Sequence, residues 1–482
     1  MQHSSSSAEH PDERWWLSAL IVTIGLFYGL TLRTGHNWGD DFAMFIHHAK
    51  NIVEGKPYAD TGYVFNPYHP GFGPNAYPPV FPLLIAPVYR WLGVNLEAMK
   101  MEAIPFLLVS LIFWYKVFRK SLSVSWSLLV VALIGLHPEV WDFKDNVLVD
   151  FYFLFFLSAS FYMIQALRED HSLAHQWSHG CLLGFFFYLA CGTKTLGIAL
   201  VISLILGDIW QWKKPKVGHI TALLVCTGLL GIQYLILGTD SRLQQDALTT
   251  FHSTYQNLIW YTEEFCALWH NGYSKTITVG LFGVLSLFVL KGYVYSVKKG
   301  ITALELFPWI YMLPVLLYPW SGAFRLIMPL LPLYCFYMVL GMQHTRVKDS
   351  YRWAYPVLFG AIFCTYISRY TSLPWGPYEG GVTAPEAVQL FTYVRDHTAQ
   401  NDLVVCLKPR AIALFTGRRA TVYHESTPAA PLWKFLRDSQ ANYLLETHDD
   451  APHYRRFIQD HSRDLILIFS NIDFKLWKIR AL

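Results

Sequence analysis

His179-Gly180-Cys181-Leu182-Leu183-Gly184-Phe185-Phe186-Phe187-Tyr188-Leu189-Ala190-Cys191-Gly192-Thr193-Lys194-Thr195-Leu196-Gly197-Ile198-Ala199-Leu200-Val201-Ile202-Ser203-Leu204-Ile205-Leu206 is apolar almost throughout and broken once, at Gly192-Thr193-Lys194-Thr195. A helix needs about 17–25 mostly apolar residues to cross a bilayer. A lysine in mid-stretch is expensive where it faces lipid, about 2.5–3.5 kcal/mol at the bilayer centre. A tight turn at one membrane face removes that cost. The stretch therefore reads as two short helices, 179–192 and 196–212, with Lys194 at the surface between them.

The same reading extended outward gives nine further apolar segments, near 15–33, 101–118, 123–137, 149–167, 217–238, 276–297, 303–319, 325–342 and 352–370. The sequence thus predicts a mainly α, polytopic membrane protein of about 11 transmembrane helices. The first segment, Trp15 to Leu32, is long for a signal-peptide core and is followed by Leu32-Arg33-Thr34-Gly35, which is no cleavage site; it reads as an uncleaved span.

Loop charges orient the chain. Lys116, Arg119 and Lys120, then Arg168, then Lys213, Lys214 and Lys216, then Lys291, Lys298 and Lys299, then Arg346, Lys348 and Arg352 fall in alternate loops. The other loops hold isolated cations: Lys144, Lys194, Arg242, Lys275 and Arg325. The positive-inside rule puts the clusters in the cytoplasm. The N-terminus is then cytoplasmic and the C-terminus extracytoplasmic, in the cell (inner) membrane. Two outer segments are large, 34–100 and 239–275. In the first, Val80 to Leu92 is too short to span and is expected to lie along the interface.

After Tyr370 the character changes. Pro374-Trp375-Gly376-Pro377 reads as a linker, Glu386 to His397 as a helix, and Leu403–Leu407 and Leu465–Phe469 as strands. The expected organisation is a membrane domain over 1–370 and a small extracytoplasmic α/β domain over 371–482.

Composition sets limits on function. Of 482 residues, 53% are hydrophobic and 15% charged, which excludes disorder; the net charge of +4 is too mild to argue for nucleic acid. The seven cysteines form no CxxC, so neither a disulfide framework nor a zinc site is expected.

The topology sorts the polar residues. Asp40, Asp41, Asp145, Asp150, Lys194, His252, Glu263, Glu264 and Arg325 all fall on the outer side. Carboxylates with separated cations suit proton abstraction from a hydroxyl and stabilisation of charge on a departing phosphate. Two adjacent acids at the lip of an apolar helix, Asp40-Asp41, are also what a solvated helix N-terminus favours. Lys194 and Arg325 are candidates for a donor phosphate, or plain headgroup anchors. Asp150 and Asp145 are second-loop acids that would hold an acceptor or a cation. His252, Tyr255 and Asn257 would line an acceptor loop. His47 and His48 follow Asp41 without the spacing of a metal motif, so a divalent metal is possible in kind but unsupported, and no cofactor is certain.

Asp41-Phe42-Ala43-Met44-Phe45-Ile46-His47-His48-Ala49-Lys50-Asn51-Ile52-Val53-Glu54-Gly55-Lys56-Pro57-Tyr58 resembles the first outer loop of the GT-C glycosyltransferases, of the protein O-mannosyltransferase and lipid A aminoarabinose transferase type. Tyr77-Pro78-Pro79-Val80-Phe81-Pro82-Leu83-Leu84, Val147-Leu148-Val149-Asp150-Phe151-Tyr152, Gly192-Thr193-Lys194-Thr195-Leu196-Gly197 and Arg325-Leu326-Ile327-Met328-Pro329-Leu330-Leu331-Pro332 resemble further family motifs, in order. The family's second acid is Phe42 here and an acid precedes instead. Spacing carries the catalytic base to Asp41, with Asp40 in reserve. Val149 stands where the family has serine before Asp150.

The resemblance implies an integral membrane glycosyltransferase that takes a sugar from a polyprenyl-phosphate donor and inverts the anomeric carbon. Asp41 would be general base, and Lys194 and Arg325 would bind the donor phosphate. The acceptor would be a lipid, a polysaccharide or a protein, met among membrane lipids. The rival readings are a secondary transporter and a non-catalytic membrane assembly protein on the same scaffold. A transporter would keep its ionisable residues near the midplane and repeat its halves, and neither feature is seen here.

Overall fold

The computed structural model describes residues 11–66, 72–73, 76–169, 172–211, 216–237, 250–270, 272–317, 324–345, 353–423, 429–448, 450 and 452–480. Arg242 and the loop cations Lys213, Lys214, Arg346, Lys348 and Arg352 lie outside them.

In chain order the first helices are α1 (Pro11–Leu30), α2 (Asp41–Glu54), α3 (Val80–Leu92), α4 (Leu96–Phe118), α5 (Val124–Gly135), α6 (Pro138–Phe143), α7 (Asp150–Glu169) and α8 (Leu173–Thr193). There follow α9 (Ile198–Trp210), α10 (Val217–Leu237), α11 (Thr250–Ala267), α12 (Lys275–Lys299), α13 (Ala303–Leu317), α14 (Phe324–Ile327), α15 (Leu331–Gln343) and α16 (Ala354–Ser372). The rest alternates: α17 (Pro385–His397), β1 (Leu403–Cys406), α18 (Pro409–Thr416), β2 (Arg419–Val422), α19 (Ala429–Asp438), β3 (Tyr443–Thr447), α20 (Pro452–Asp460), β4 (Leu465–Ser470) and β5 (Phe474–Ile479).

Ten of the eleven apolar segments each coincide with one helix over their described residues, and the tenth in order, 325–342, is divided into α14, a 3-10 turn over Met328–Leu330 and α15. Five described helical stretches are long and apolar enough to cross a membrane: 96–118, 150–169, 217–237, 275–299 and 324–343. The chain is a multi-pass membrane protein. α10 and α12 are the least buried of these five, with 17% of their most apolar windows buried. Leu224, Leu235 and Ile236 on α10 and Leu287 and Leu290 on α12 are more than half exposed. Such a surface is stable only against lipid or another apolar partner.

Two expectations need correction. α8 is longer than the segment 179–192, because Gln176 is not a surface residue: its amide nitrogen donates to the Leu167 carbonyl and its oxygen accepts from Gly218 N–H, tying α8 to α7 and α10. The second large outer segment is not a loop around His252, Tyr255 and Asn257, since these lie in α11.

The five strands form one sheet in the order β2-β1-β3-β5-β4. β1 runs parallel to β2 and β3, and β5 antiparallel to β3 and β4. The stretch after α2 joins this sheet at its β2 edge: Tyr63 bridges Ala420, Val64 N–H donates to the Ala420 carbonyl, and Ala420 N–H returns to Gly62. Trp38 packs on Phe391 and Phe474, and Phe42 on Phe415. These contacts hold the sheet over the end of the helical bundle where α2, α7 and α14 begin.

Candidate active site

Asp41 is the first residue of α2, a position that suits a carboxylate because the free amides of a helix N-terminus carry partial positive charge. Burial of Phe42, Phe45 and Ile46 fixes the helix, while the Asp41 side chain keeps 32% exposure. Arg325 Nη1 donates to Asp41 Oδ2 at 2.7 Å, and the Tyr77 hydroxyl donates to Oδ1 at 2.5 Å. Arg410, from the first turn of α18, reaches the same Oδ1 at 3.2 Å. Burial alone would raise the Asp41 carboxyl, but Arg325, Arg410 and the Tyr77 hydroxyl outweigh it and hold the group far below the usual carboxylate range.

Lys194 ends α8 in an extended conformation, and a 3-10 turn over Thr195–Gly197 leads into α9. The turn needs glycine, since a Cβ on Gly197 would stand 2.6 Å from the Ala190 carbonyl carbon. Lys194 Nζ donates to Asp150 Oδ1 at 3.0 Å and to the Arg325 carbonyl at 3.1 Å. Asp150 opens α7 and is 1% exposed; its Oδ2 has no hydrogen-bond partner and lies 3.8 Å from Arg325 Nε.

The charges form one row of alternating sign: Lys194, Asp150, Arg325, Asp41, Arg410, Asp40. Its successive separations are 3.0, 3.8, 2.7, 3.2 and 3.6 Å. Three cations face three carboxylates, so the row carries no net charge.

Asp40 has a different place from Asp41. Its Oδ1 accepts the backbone N–H of Arg410 at 3.0 Å and of Ala411 at 3.4 Å. Asp40 thus caps α18 across the chain, where Lys408 offers no side-chain cap of its own. Burial pushes its carboxyl up and Arg410 opposes the shift.

His48 fixes Tyr77. Tyr77 N–H donates to His48 Nε2 at 3.1 Å, and His48 Nδ1 bonds the Tyr58 carbonyl at 2.8 Å. Burial pushes this imidazole down to about 3, so it stays neutral with both nitrogens committed. His47 Nδ1 has no partner. Among the described residues no three His, Cys, Asp or Glu side chains are grouped to hold a metal.

Of the sequence candidates, Asp40, Asp41, Asp150, Lys194 and Arg325 come together. Asp145 does not join them: it is fully buried, accepts the Arg33 N–H at 2.8 Å and pairs with Lys144 at 2.7 Å. Asn257 donates to the Leu316 carbonyl, joining α11 to α13. Tyr255 is 68% exposed, and the His252 side chain lies outside the described residues. Sequence reasoning missed Arg410 and the bond from Tyr77. One signal was available: Pro409 marks a helix start, and an arginine directly after it opposes the helix dipole and calls for acids nearby.

The helical bundle with a sheet over its polar end is similar in fold to two solved structures. The ArnT aminoarabinose transferase of Cupriavidus metallidurans, bound to undecaprenyl phosphate, superposes with a TM-score of 0.59 at 9% identity over 96% of this chain and 98% of that one. The oligosaccharyltransferase AglB of Archaeoglobus fulgidus, in complex with an inhibitory peptide and a dolichol-phosphate, gives 0.58 at 12% identity over 91% and 70%. No family model and no curated protein matches the sequence.

Proposed function

We propose that this chain is a membrane glycosyltransferase that moves a sugar from a polyprenyl-phosphate donor to an acceptor hydroxyl on the outer face of the cell (inner) membrane. The observation that carries this reading is the alternating row, open to solvent at Asp41 and Arg325 and lined by Lys194. Two fold relatives bound to lipid phosphates support the donor class.

In this reading Asp41 removes the proton from the acceptor hydroxyl. The resulting oxygen attacks the anomeric carbon from the face opposite the phosphate, so the configuration inverts. The carbon–oxygen bond to the phosphate breaks, its electron pair leaves with the lipid phosphate, and Lys194 and Arg325 take up the charge as it grows. Asp150 aims both cations by holding Lys194 at 3.0 Å and standing 3.8 Å from Arg325. Residues 371–482 form an extracytoplasmic domain that roofs the site. Without a donor, the three carboxylates are matched by three side-chain cations.

The test is transfer by purified, lipid-reconstituted protein. Radiolabelled polyprenyl-phosphate sugars of several kinds are offered with lipid, polysaccharide and peptide acceptors. Transfer that is lost in Asp41→Asn supports the reading; no transfer and no binding of undecaprenyl phosphate would sink it. Single-cysteine labelling should place position 400 outside and position 299 in the cytoplasm.

A further inference from the structure

Arg325 and Arg410 both touch Asp41, but they are held differently. The Arg325 side chain is 27% exposed, and it stands between Asp41 and Asp150. The Arg410 side chain is 3% exposed and has no such freedom. Its Nη2 donates to the Phe72 carbonyl at 2.6 Å, and its Nη1 donates to the Tyr77 hydroxyl at 2.6 Å. Its Nε lies 3.6 Å from Asp40, and its guanidinium stacks 4.9 Å from the rings of both Tyr63 and Tyr77. Gly73, at φ +92, lets the chain pass over this group; a Cβ there would stand 3.0 Å from Nη2. A planar fork can meet Asp41, Tyr77 and Phe72 at once, whereas a lysine offers a single point charge.

A donor phosphate at Lys194 and Arg325 competes with Asp150 and Asp41 for the same two cations. Arg325 is open on the side of the phosphate, whereas Arg410 is buried and pinned by the Tyr77 hydroxyl and the Phe72 carbonyl.

We propose that Arg410 is the positioning residue of Asp41: it keeps the carboxylate aimed and charge-compensated when Arg325 turns to the donor phosphate. This rests on the glycosyl-transfer reading above. It makes the C-terminal unit part of the reaction centre, since the residue that steadies the base comes from α18, 369 positions along the chain.

The groups facing the Asp41 carboxyl are Arg325 from α14, Arg410 from α18, Tyr77 from the segment before α3, and the neighbouring Asp40. Lys194 and Asp150 stand behind Arg325. Loss of the Arg410 cation favours the protonated form of Asp41, so its titration moves to higher pH. Diversion of Arg325 to a phosphate moves it in the same direction, and the two effects compound.

The experiment follows the Asp41 carboxyl by infrared difference spectroscopy on the full-length protein in nanodiscs, assigned by comparison with Asp41→Asn. Undecaprenyl phosphate is the probe. In the wild type Asp41 should stay ionised across the accessible acid range, with and without the lipid. In Arg410→Gln the titration should rise into the ordinary carboxylate range, and undecaprenyl phosphate should raise it by about one further pH unit, tenfold in the protonation equilibrium. Arg410→Lys keeps the charge but loses the fork; its titration should rise measurably only when the lipid is bound, which also covers the case in which Arg410→Gln fails to assemble. Wild-type titration in either variant with the lipid bound overturns the assignment. Failure of the wild type to bind the lipid at all overturns the glycosyl-transfer reading instead.

Discussion

Two charged networks sit side by side at the same end of the bundle, and they differ in what they leave open. Around Asp145, everything is closed. Asp145, Lys144 and Lys100 are fully buried; Lys144 lies 3.8 Å from the Trp141 ring, and Lys100 Nζ donates to the Arg33 and Gly35 carbonyls. Arg33 reaches the Gly376 and Pro377 carbonyls, fastening the chain that leads to the sheet. Around Asp41 the carboxylate keeps 32% exposure, Arg325 27% and Lys194 11%, and Asp150 Oδ2 has no hydrogen-bond partner. A closed network holds elements in place. An open one, with charge matched but hydrogen bonds unfilled, is fit to receive a ligand.

The largest expected effect that separates the two is on rate. Removing a general base costs about 10²–10⁴-fold. Asp41→Asn should lose turnover on that scale while keeping thermal stability and lipid binding. An active Asp41→Asn beside an inactive Asp40→Asn would move the base to Asp40 and blur the division between site and cap.

Asp145→Ala should do the reverse. It removes the ion-pair partner of the buried Lys144, a loss of about 3–5 kcal/mol of stability. A melting measurement in detergent should register it, and the protein that remains folded should turn over normally. A stable Asp145→Ala with reduced kcat would return Asp145 to the site.

Next in size are the phosphate cations. Lys194→Ala and Arg325→Ala should each weaken binding of undecaprenyl phosphate by about 1.5–3 kcal/mol, the worth of one charge-assisted hydrogen bond. Lys194→Arg should be milder. Equal affinity in the wild type and both alanine variants would make these residues headgroup anchors. The smallest effect belongs to α11. Asn257→Ala should cost about 1 kcal/mol of stability through its bond to Leu316, and Tyr255→Ala should change neither stability nor transfer.

Much of this was legible in the sequence. The apolar runs predict eleven helices; ten coincide with one helix each, and the run 325–342 is broken at Met328–Leu330. The five motifs carrying the GT-C resemblance belong to a chain similar in fold to ArnT and AglB. Other parts were not legible, for physical reasons. β2 is four residues with one arginine, β3 ends in Glu446-Thr447, and β5 carries Lys475 and Lys478, so each looks like polar surface until its neighbours supply the pairing. Asp145 and Asp150 lie five residues apart in one loop region and read alike. Only the packing of Lys144 and Arg33 around the first, and of Lys194 and Arg325 around the second, tells them apart. For Arg410 the sequence offered only the helix start at Pro409; its partners are set by the docking of α18 on Asp40.

The most direct measurement is a cryo-EM map of the reconstituted protein with undecaprenyl phosphate. The account predicts phosphate density between Lys194 and Arg325, with Asp41 still held by Arg410 and Tyr77 and the Asp145 network unchanged. Phosphate density away from Lys194 and Arg325, or lipid tails alone along the bundle with the Asp41–Arg325 contact intact, would contradict it.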